Sequence, residues 1–247
     1  MSIRLALAGN PNSGKTTMFN ELTGSTQYVG NWPGVTVEKK EGRYKADKEI
    51  SIIDLPGIYS LSPYTLEEVI TRDFLVNEKP DVIINLVDAS NIERNLYLTT
   101  QLLEMGIPVV IALNMMDIVQ KRGDTIDVKK LSAALGVPVV ETSALKGRGT
   151  KELMETAKKA TASAAQPAKH AFSDGIENAL SQISGMIRDV TEEDQRRWFA
   201  VKLFERDEKV LARFRFSQDV RDKLESIITA VEEELDDAAE SIITDAR

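Results

Sequence analysis

The sequence predicts an α/β domain with a mostly parallel central sheet, followed by a small all-α domain. Three observations predict it. The runs Val82–Val87 and Val109–Leu113, apolar but for Asn85, show no period-two alternation, as strands buried on both faces require. Such runs alternate with helical patterns through the first 165 residues. Beyond the Thr/Ala/Ser/Pro stretch at 161–170, only helical spacing remains. The expected domains are therefore 1–165 and 171–247, joined by a linker at 161–170.

Strands read at Ile3–Ala8, Thr36–Tyr44, Ile50–Asp54, Val82–Asp88, Val109–Asn114 and Val137–Glu141. Helices read at Lys15–Leu22, Leu66–Asn77, Asn91–Met105, Val128–Leu135 and Gly149–Lys159. The segment Ser25–Gly34, with Gly30, Asn31, Pro33 and Gly34, reads as a mobile loop. In the C-terminal part, Ile176, Ala179, Leu180, Ile183, Ile187 and Val190 follow helical spacing, and Trp198, Val201, Leu203 and Phe204 form a second apolar group. Val220, Leu224, Ile227, Ile228, Val231, Leu235 and Ile242 predict one long helix whose stripe faces a bundle core. A stalk toward a membrane domain, or a contact between copies of the chain, is the functional reading of the same stripe. Glu232–Asp237 reads as a solvated acidic helix face.

The chemistry begins at Gly9-Asn10-Pro11-Asn12-Ser13-Gly14-Lys15-Thr16, which has the spacing of a phosphate-binding P-loop. Gly9 and Gly14 let successive backbone N–H groups turn inward toward phosphate oxygens. Lys15 brings a positive charge to the β- and γ-phosphates. Thr16 offers a hydroxyl to Mg²⁺, and Thr17 begins a helix whose N-terminal dipole favours anions. Asp54-Leu-Pro-Gly57 closes the apolar run Ile50–Ile53. Its Asp54 can hold Mg²⁺ through water, and the Gly57 N–H can reach a γ-phosphate. Thr36, in Gly34-Val35-Thr36, can move onto Mg²⁺ when a γ-phosphate is present.

Asn114-Met115-Met116-Asp117 ends the strand Pro108–Leu113. The Asp117 carboxylate can accept two hydrogen bonds from the guanine N1–H and 2-amino group, a donor pair adenine lacks. Ser143-Ala144-Leu145 follows Val137–Glu141 and can present a backbone N–H to guanine O6. Each motif lies at the carboxyl end of an expected strand, where open α/β sheets bind ligands. Together they predict a P-loop GTPase fold that binds GTP and GDP with Mg²⁺.

These stretches, with Val29-Gly-Asn-Trp-Pro-Gly-Val-Thr-Val-Glu38 and Asp54-Leu-Pro-Gly-Ile-Tyr-Ser-Leu61, resemble the N-terminal cytosolic G domain of the bacterial ferrous-iron transporter FeoB. The Asn-Trp-Pro-Gly-Val-Thr segment discriminates most, because general GTPase motifs do not demand it. The resemblance implies a GTPase domain, a helical domain that stabilises the GDP state, and an iron-carrying membrane domain of the same polypeptide. It also implies a place at the cytoplasmic face of the bacterial inner membrane. It is closest over the first 165 residues. Three departures from Ras-like sequences bear on mechanism. Ile58 follows Asp54-x-x-Gly57 in place of a water-orienting glutamine, so intrinsic hydrolysis is expected to be slow. Asn12 occupies the position where similar potassium-activated GTPases place a K⁺ ligand, with carbonyls of Ser25–Gly34 as its expected companions. Met115 replaces a common lysine and predicts weak GDP retention. The runner-up is a soluble GTPase of ribosome or tRNA maturation. A third reading is a binding module with negligible turnover.

Composition narrows the choice. The chain of 247 residues is 42% hydrophobic, which supplies an ordinary core. Without cysteine there is no disulfide or thiolate metal site, and the lone His170 falls in the linker. No apolar run approaches the roughly 18 residues of a membrane span, and no signal-peptide pattern precedes the first strand. Residues 1–170 are charge-neutral overall. The whole surplus of −8 lies in residues 171–247, which argues against nucleic acid as a partner of that part.

Overall fold

The structure, a computed structural model, describes residues 2–24, 27–62, 64–162 and 172–247. They fall into two compact units, one within Met1–Leu103 and Ile107–Lys169, the other within Glu104–Gly106 and His170–Arg247.

The first unit is a seven-stranded sheet. Its strands are β1 (Ile3–Gly9), β2 (Gln27–Asn31), β3 (Glu38–Tyr44), β4 (Asp47–Asp54), β5 (Val82–Asp88), β6 (Val109–Asn114) and β7 (Val139–Glu141). Their spatial order is β2-β3-β4-β1-β5-β6-β7. β1 pairs in parallel with β4 and β5, and β5, β6 and β7 continue in parallel. Only the β2–β3 and β3–β4 pairs are antiparallel. β6 is buried along its whole length and β5 up to Asp88, as their apolar runs, interrupted only by Asn85, require.

The helices of this unit are α1 (Lys15–Thr23), α2 (Leu66–Glu78), α3 (Ile92–Leu103), α4 (Met116–Arg122), α5 (Val128–Leu135) and α6 (Thr150–Ala162). Met18, Phe19 and Leu22 of α1 and Leu153, Met154 and Ala157 of α6 pack with Leu5, Leu7, Ile84 and Val110 of the sheet. A capping box starts α2: Thr65 Oγ1 accepts the Glu68 N–H, and the Glu68 carboxylate accepts the Thr65 N–H.

Two elements depart from expectation. Part of the supposed mobile loop is the edge strand β2, whose exposed Tyr28 and Val29 gave no alternating signal. Ser25 and Thr26 lie outside the described residues, as do 163–170 of the linker, His170 included. The short α4 has Met115 in the left-handed region at its start and Gly123 at its end, so it carries no side-chain cap that would announce it.

The second unit holds α7 (Asp174–Met186), α8 (Glu193–Phe204), α9 (Glu208–Arg213), α10 (Gln218–Leu235) and α11 (Ala239–Ala246). The single C-terminal helix expected from the apolar stripe is two helices. Asp236 turns left-handed at φ +52°, and Ile242 belongs to α11. The acidic run is not simply a solvated face either. Glu232 accepts Arg206 Nη1 at 2.7 Å and Nη2 at 2.9 Å, and also the Ala239 N–H at 2.8 Å. Gly106 is required by close approach, because a Cβ there would overlap the Asp194 carbonyl.

Candidate functional site

The segment joining β1 to α1 sits at the point where the sheet order reverses, the crevice expected to bind ligands. Its glycines are dictated by space. A Cβ on Gly9 would lie 2.7 Å from the Leu86 carbonyl oxygen and 2.9 Å from Ser13 Oγ. Gly14 has φ +86°, and a Cβ there would strike the Asn114 amide. Asn12 is also left-handed, at φ +66°, a conformation asparagine tolerates. Asn10–Asn12 and Gly14–Thr17, with Gly57 and Met115, line a cleft of about 550 Å³.

Lys15 and Asp54 are both buried and meet at 2.5 Å. Each charge is sustained by the other. The Asp54–Gly57 segment is held against the loop by Leu55 N–H to Leu7 O (3.1 Å) and Ile58 N–H to Gly9 O (3.2 Å). Gly57 thereby abuts Pro11. Ile58 is only 2% exposed and serves the core, so its side chain does not reach into the cleft. Asn10 Nδ2 donates to the Arg94 carbonyl at 3.3 Å, and the Arg94 guanidinium lies 4.3 Å over the Tyr59 ring. Asn10 Oδ1 and Ser13 Oγ are buried without a hydrogen-bond partner among the described residues.

Asn114 ties the loop to the other motifs. Its Nδ2 donates to the Ser13 carbonyl at 2.9 Å. Its Oδ1 accepts the Ala144 N–H at 2.9 Å and the Thr142 hydroxyl at 3.3 Å. Asp117 accepts Ser143 Oγ–H at 2.9 Å and faces Lys146 Nζ at 3.1 Å. Those two donors, Ser143 first, hold the Asp117 carboxyl below its ordinary range. The turn Ala144–Lys146 leaves the Leu145 side chain 84% exposed.

Most expected site residues therefore converge. Asn10, Pro11, Asn12, Gly14, Lys15, Thr16, Thr17, Gly57 and Met115 line the cleft. Gly9 and Ser13 shape it from beneath, Asp54 pairs with Lys15, and Asn114 joins the loop to Ala144. Gly34, Val35 and Thr36 do not line it, and Thr36 is exposed. Lys146 is the contact that motif reading missed. Its signal was a lysine one position beyond Ser143-Ala144-Leu145, close enough on a tight turn to swing back to Asp117.

A family model described as "Ferrous iron transport protein B" matches residues 3–157, and one described as "FeoB cytosolic helical domain" matches 172–247. Over 99% of this chain, a fusion of Fe(2+) transport protein A with the Fe(2+) transporter FeoB from Porphyromonas gingivalis is 45% identical. The Fe(2+) transporter FeoB of Salmonella typhi is 41% identical over the same share. The chain spans 31% and 32% of the length of these relatives. Among solved structures, a mutant of S. thermophilus NFeoB bound to mGDP is 48% identical. It covers 100% of this chain and 95% of its own, with a TM-score of 0.96. Another, bound to GDP.AlF4-, is 49% identical, covers 99% and 96%, and has a TM-score of 0.90. These matches do not favour a ribosome or tRNA-maturation GTPase. A phosphate-type loop, a mostly parallel sheet and an appended helical unit, matched together along the chain, show that it belongs to the ferrous iron transport protein B family.

Proposed function

We propose that this chain is the guanine-nucleotide-binding part of a ferrous-iron transporter, binding GTP and GDP and hydrolysing GTP slowly. The observation that carries this reading is the double role of Asn114. One amide fixes the Gly9–Thr16 loop through Ser13 and the Ser143–Leu145 turn through Ala144. A ligand with phosphates at one end and guanine at the other fits that spacing of functions. Solved relatives bound to mGDP and GDP.AlF4- support it.

Gly14–Thr17 present backbone N–H groups and the Lys15 ammonium to the phosphates. When the β- and γ-phosphates arrive, Lys15 exchanges its contact with Asp54 for phosphate oxygens. Asp117 accepts the guanine N1–H and 2-amino group, and the Ser143–Leu145 turn supplies a donor to O6. The Met115 side chain packs on the base. The Gly57 N–H donates to the γ-phosphate, and Thr36 joins from Gly34-Val35-Thr36.

The Thr16 hydroxyl at the cleft and the Asp54 carboxylate beside Lys15 are hard oxygen donors and fit Mg²⁺, with Thr36 completing the set. The amide oxygen of Asn12 at the cleft rim fits K⁺. Bound there, K⁺ supplies the positive charge that an arginine supplies in other GTPases. Loss of the Gly57 and Thr36 contacts on hydrolysis makes the chain a switch. Its domains, 1–165 and 171–247, would act on a membrane domain of the same polypeptide from the cytoplasmic face. Among the described residues no helix is long and apolar enough to cross a membrane.

Steady-state GTP hydrolysis with Mg²⁺, in KCl against NaCl at equal ionic strength, tests the proposal. A KCl advantage that vanishes in Asn12→Ala supports it. Equal rates in both salts eliminate the K⁺ role, and absence of GDP binding eliminates the guanine reading altogether.

A further inference from the structure

Within Asn31–Thr36, the segment most distinctive in the sequence, Trp32 alone is buried, at 8% exposure. It does not line the cleft. Its ring meets Phe74 of α2 edge-on, with centroids 5.4 Å apart and planes at 72°. Lys39 Nζ lies 5.2 Å over the same ring. The Trp32 backbone closes the turn that carries Thr36. Its N–H donates to the Val37 carbonyl at 2.9 Å, and its carbonyl accepts the Val35 N–H at 3.2 Å. Thr36 therefore sits on a turn with one apolar anchor, and that anchor grips the helix that follows the Asp54–Gly57 segment.

The seat is well filled but incompletely satisfied. The indole N–H is buried with no hydrogen-bond partner among the described residues. Leaving the seat forfeits apolar burial and restores water to that N–H. Two opposing contributions of this kind suit an element that a ligand can bias between two positions.

We propose that Trp32 is a positioning residue for Thr36. Seated against Phe74, it parks the Thr36 turn outside the cleft, and it leaves that seat when Thr36 engages the γ-phosphate and Mg²⁺ of bound GTP. The inference rests on the reading that Thr36 serves bound GTP. Binding of a GTP analogue must then supply the free energy of unseating Trp32, whereas GDP binding does not.

The chain has two tryptophans, Trp32 and Trp198. Trp198 lies in the helical unit, and its own indole N–H has no partner among the described residues, so Trp198→Phe removes an unsatisfied group and leaves Trp32 as the sole reporter. In that background, GMPPNP with Mg²⁺ should shift Trp32 emission to longer wavelength and open it to acrylamide quenching. GDP with Mg²⁺ should leave it unchanged. Trp32→Ala should tighten GMPPNP binding about fivefold or more with GDP affinity preserved. Trp32→Phe should keep the wild-type values, and preserved GDP affinity certifies the fold of each variant. Thr36→Ala separates the two levels of the argument. If it leaves the GMPPNP-to-GDP affinity ratio unchanged, the role of Thr36 fails and the parking role with it. If it lowers that ratio, while Trp32 emission stays fixed and Trp32→Ala does not tighten GMPPNP, the parking role alone is overturned.

Discussion

The two units of this chain use buried charge in opposite ways. In the sheet unit, Lys15 and Asp54 form a buried pair at the wall of an open cleft, and Lys15 itself lines that cleft. A phosphate or a metal ion can take the place of either partner. In the helical unit, Arg247 sends Nε and Nη2 to Glu104, each at 2.9 Å, and Nη1 to Glu205 at 2.9 Å. Lys202 completes the set at Glu205. The Arg247 and Glu104 side chains are 1% and 2% exposed. An ion pair facing a cleft marks a place for a ligand. One whose donors are committed within the fold marks structure. Their energetics should therefore separate cleanly under mutation.

The sharpest break is Glu104→Ala. It leaves the Arg247 guanidinium buried without its two-pronged partner, which should cost about 3–5 kcal/mol of stability. Denaturant midpoints at fixed slope measure it. A loss below about 1 kcal/mol would put the pair in the class of exposed bridges and undo the contrast.

Lys15→Ala tests the other side. Removing this lysine of the cleft wall should lower GTP hydrolysis about 10²–10³-fold, the scale of a lost preorganised donor at a reacting phosphate. Single-turnover rates at saturating nucleotide give the number. An unchanged rate would demote Lys15 from a catalytic group to a partner of Asp54.

The contrast was only half legible in the sequence. The cleft was readable because its chemistry is local: Gly9 through Thr16 are contiguous, Asp54 and Asn114 each close an apolar run, and Ser143 follows the strand that ends at Glu141. The strands β5 and β6 were readable for the same reason, since burial on both faces leaves an apolar signature that only Asn85 interrupts. The closed network was invisible because Glu104 and Arg247 are 143 residues apart and neither belongs to a motif. Edge strand β2 was missed because three of its five residues are exposed and it carries a glycine. The break at Asp236 lacked the glycine or proline that normally announces one. Thr36 could be singled out as a residue type suited to Mg²⁺, yet nothing in the sequence told that Trp32 would hold its turn against Phe74.

A smaller effect should appear on acidification. Arg206, with the Ala239 N–H, holds the Glu232 carboxyl below its ordinary value of 4.5. A carboxylate depressed in the folded state adds stability above its unfolded-state value and loses it as pH falls through the folded value. The helical unit should therefore weaken progressively below about pH 4.5, and Glu232→Gln should flatten that limb. Stability followed by helical circular dichroism from pH 7 to 3 reads it. An acid limb identical in both proteins would show that Arg206 gains nothing from the charge.

The smallest effect falls at the boundary between the two kinds of pair. Lys146 is half-exposed and its partner Asp117 mostly shielded, so their 3.1 Å contact is neither a closed network nor a buried ligand site. Water screens it, and exposed pairs contribute about 0.2–1 kcal/mol. Ser143 remains on Asp117 in Lys146→Met and keeps the carboxylate held in place. GDP release measured by stopped flow should then quicken only a few-fold, about 1.5–5 times. Added salt should quicken the wild type toward the variant, because screening weakens the same contact. If Lys146→Met instead releases GDP a hundredfold faster, Lys146 is no bystander at the surface. It would then belong with Lys15 among the charges whose partner at this cleft is the nucleotide itself.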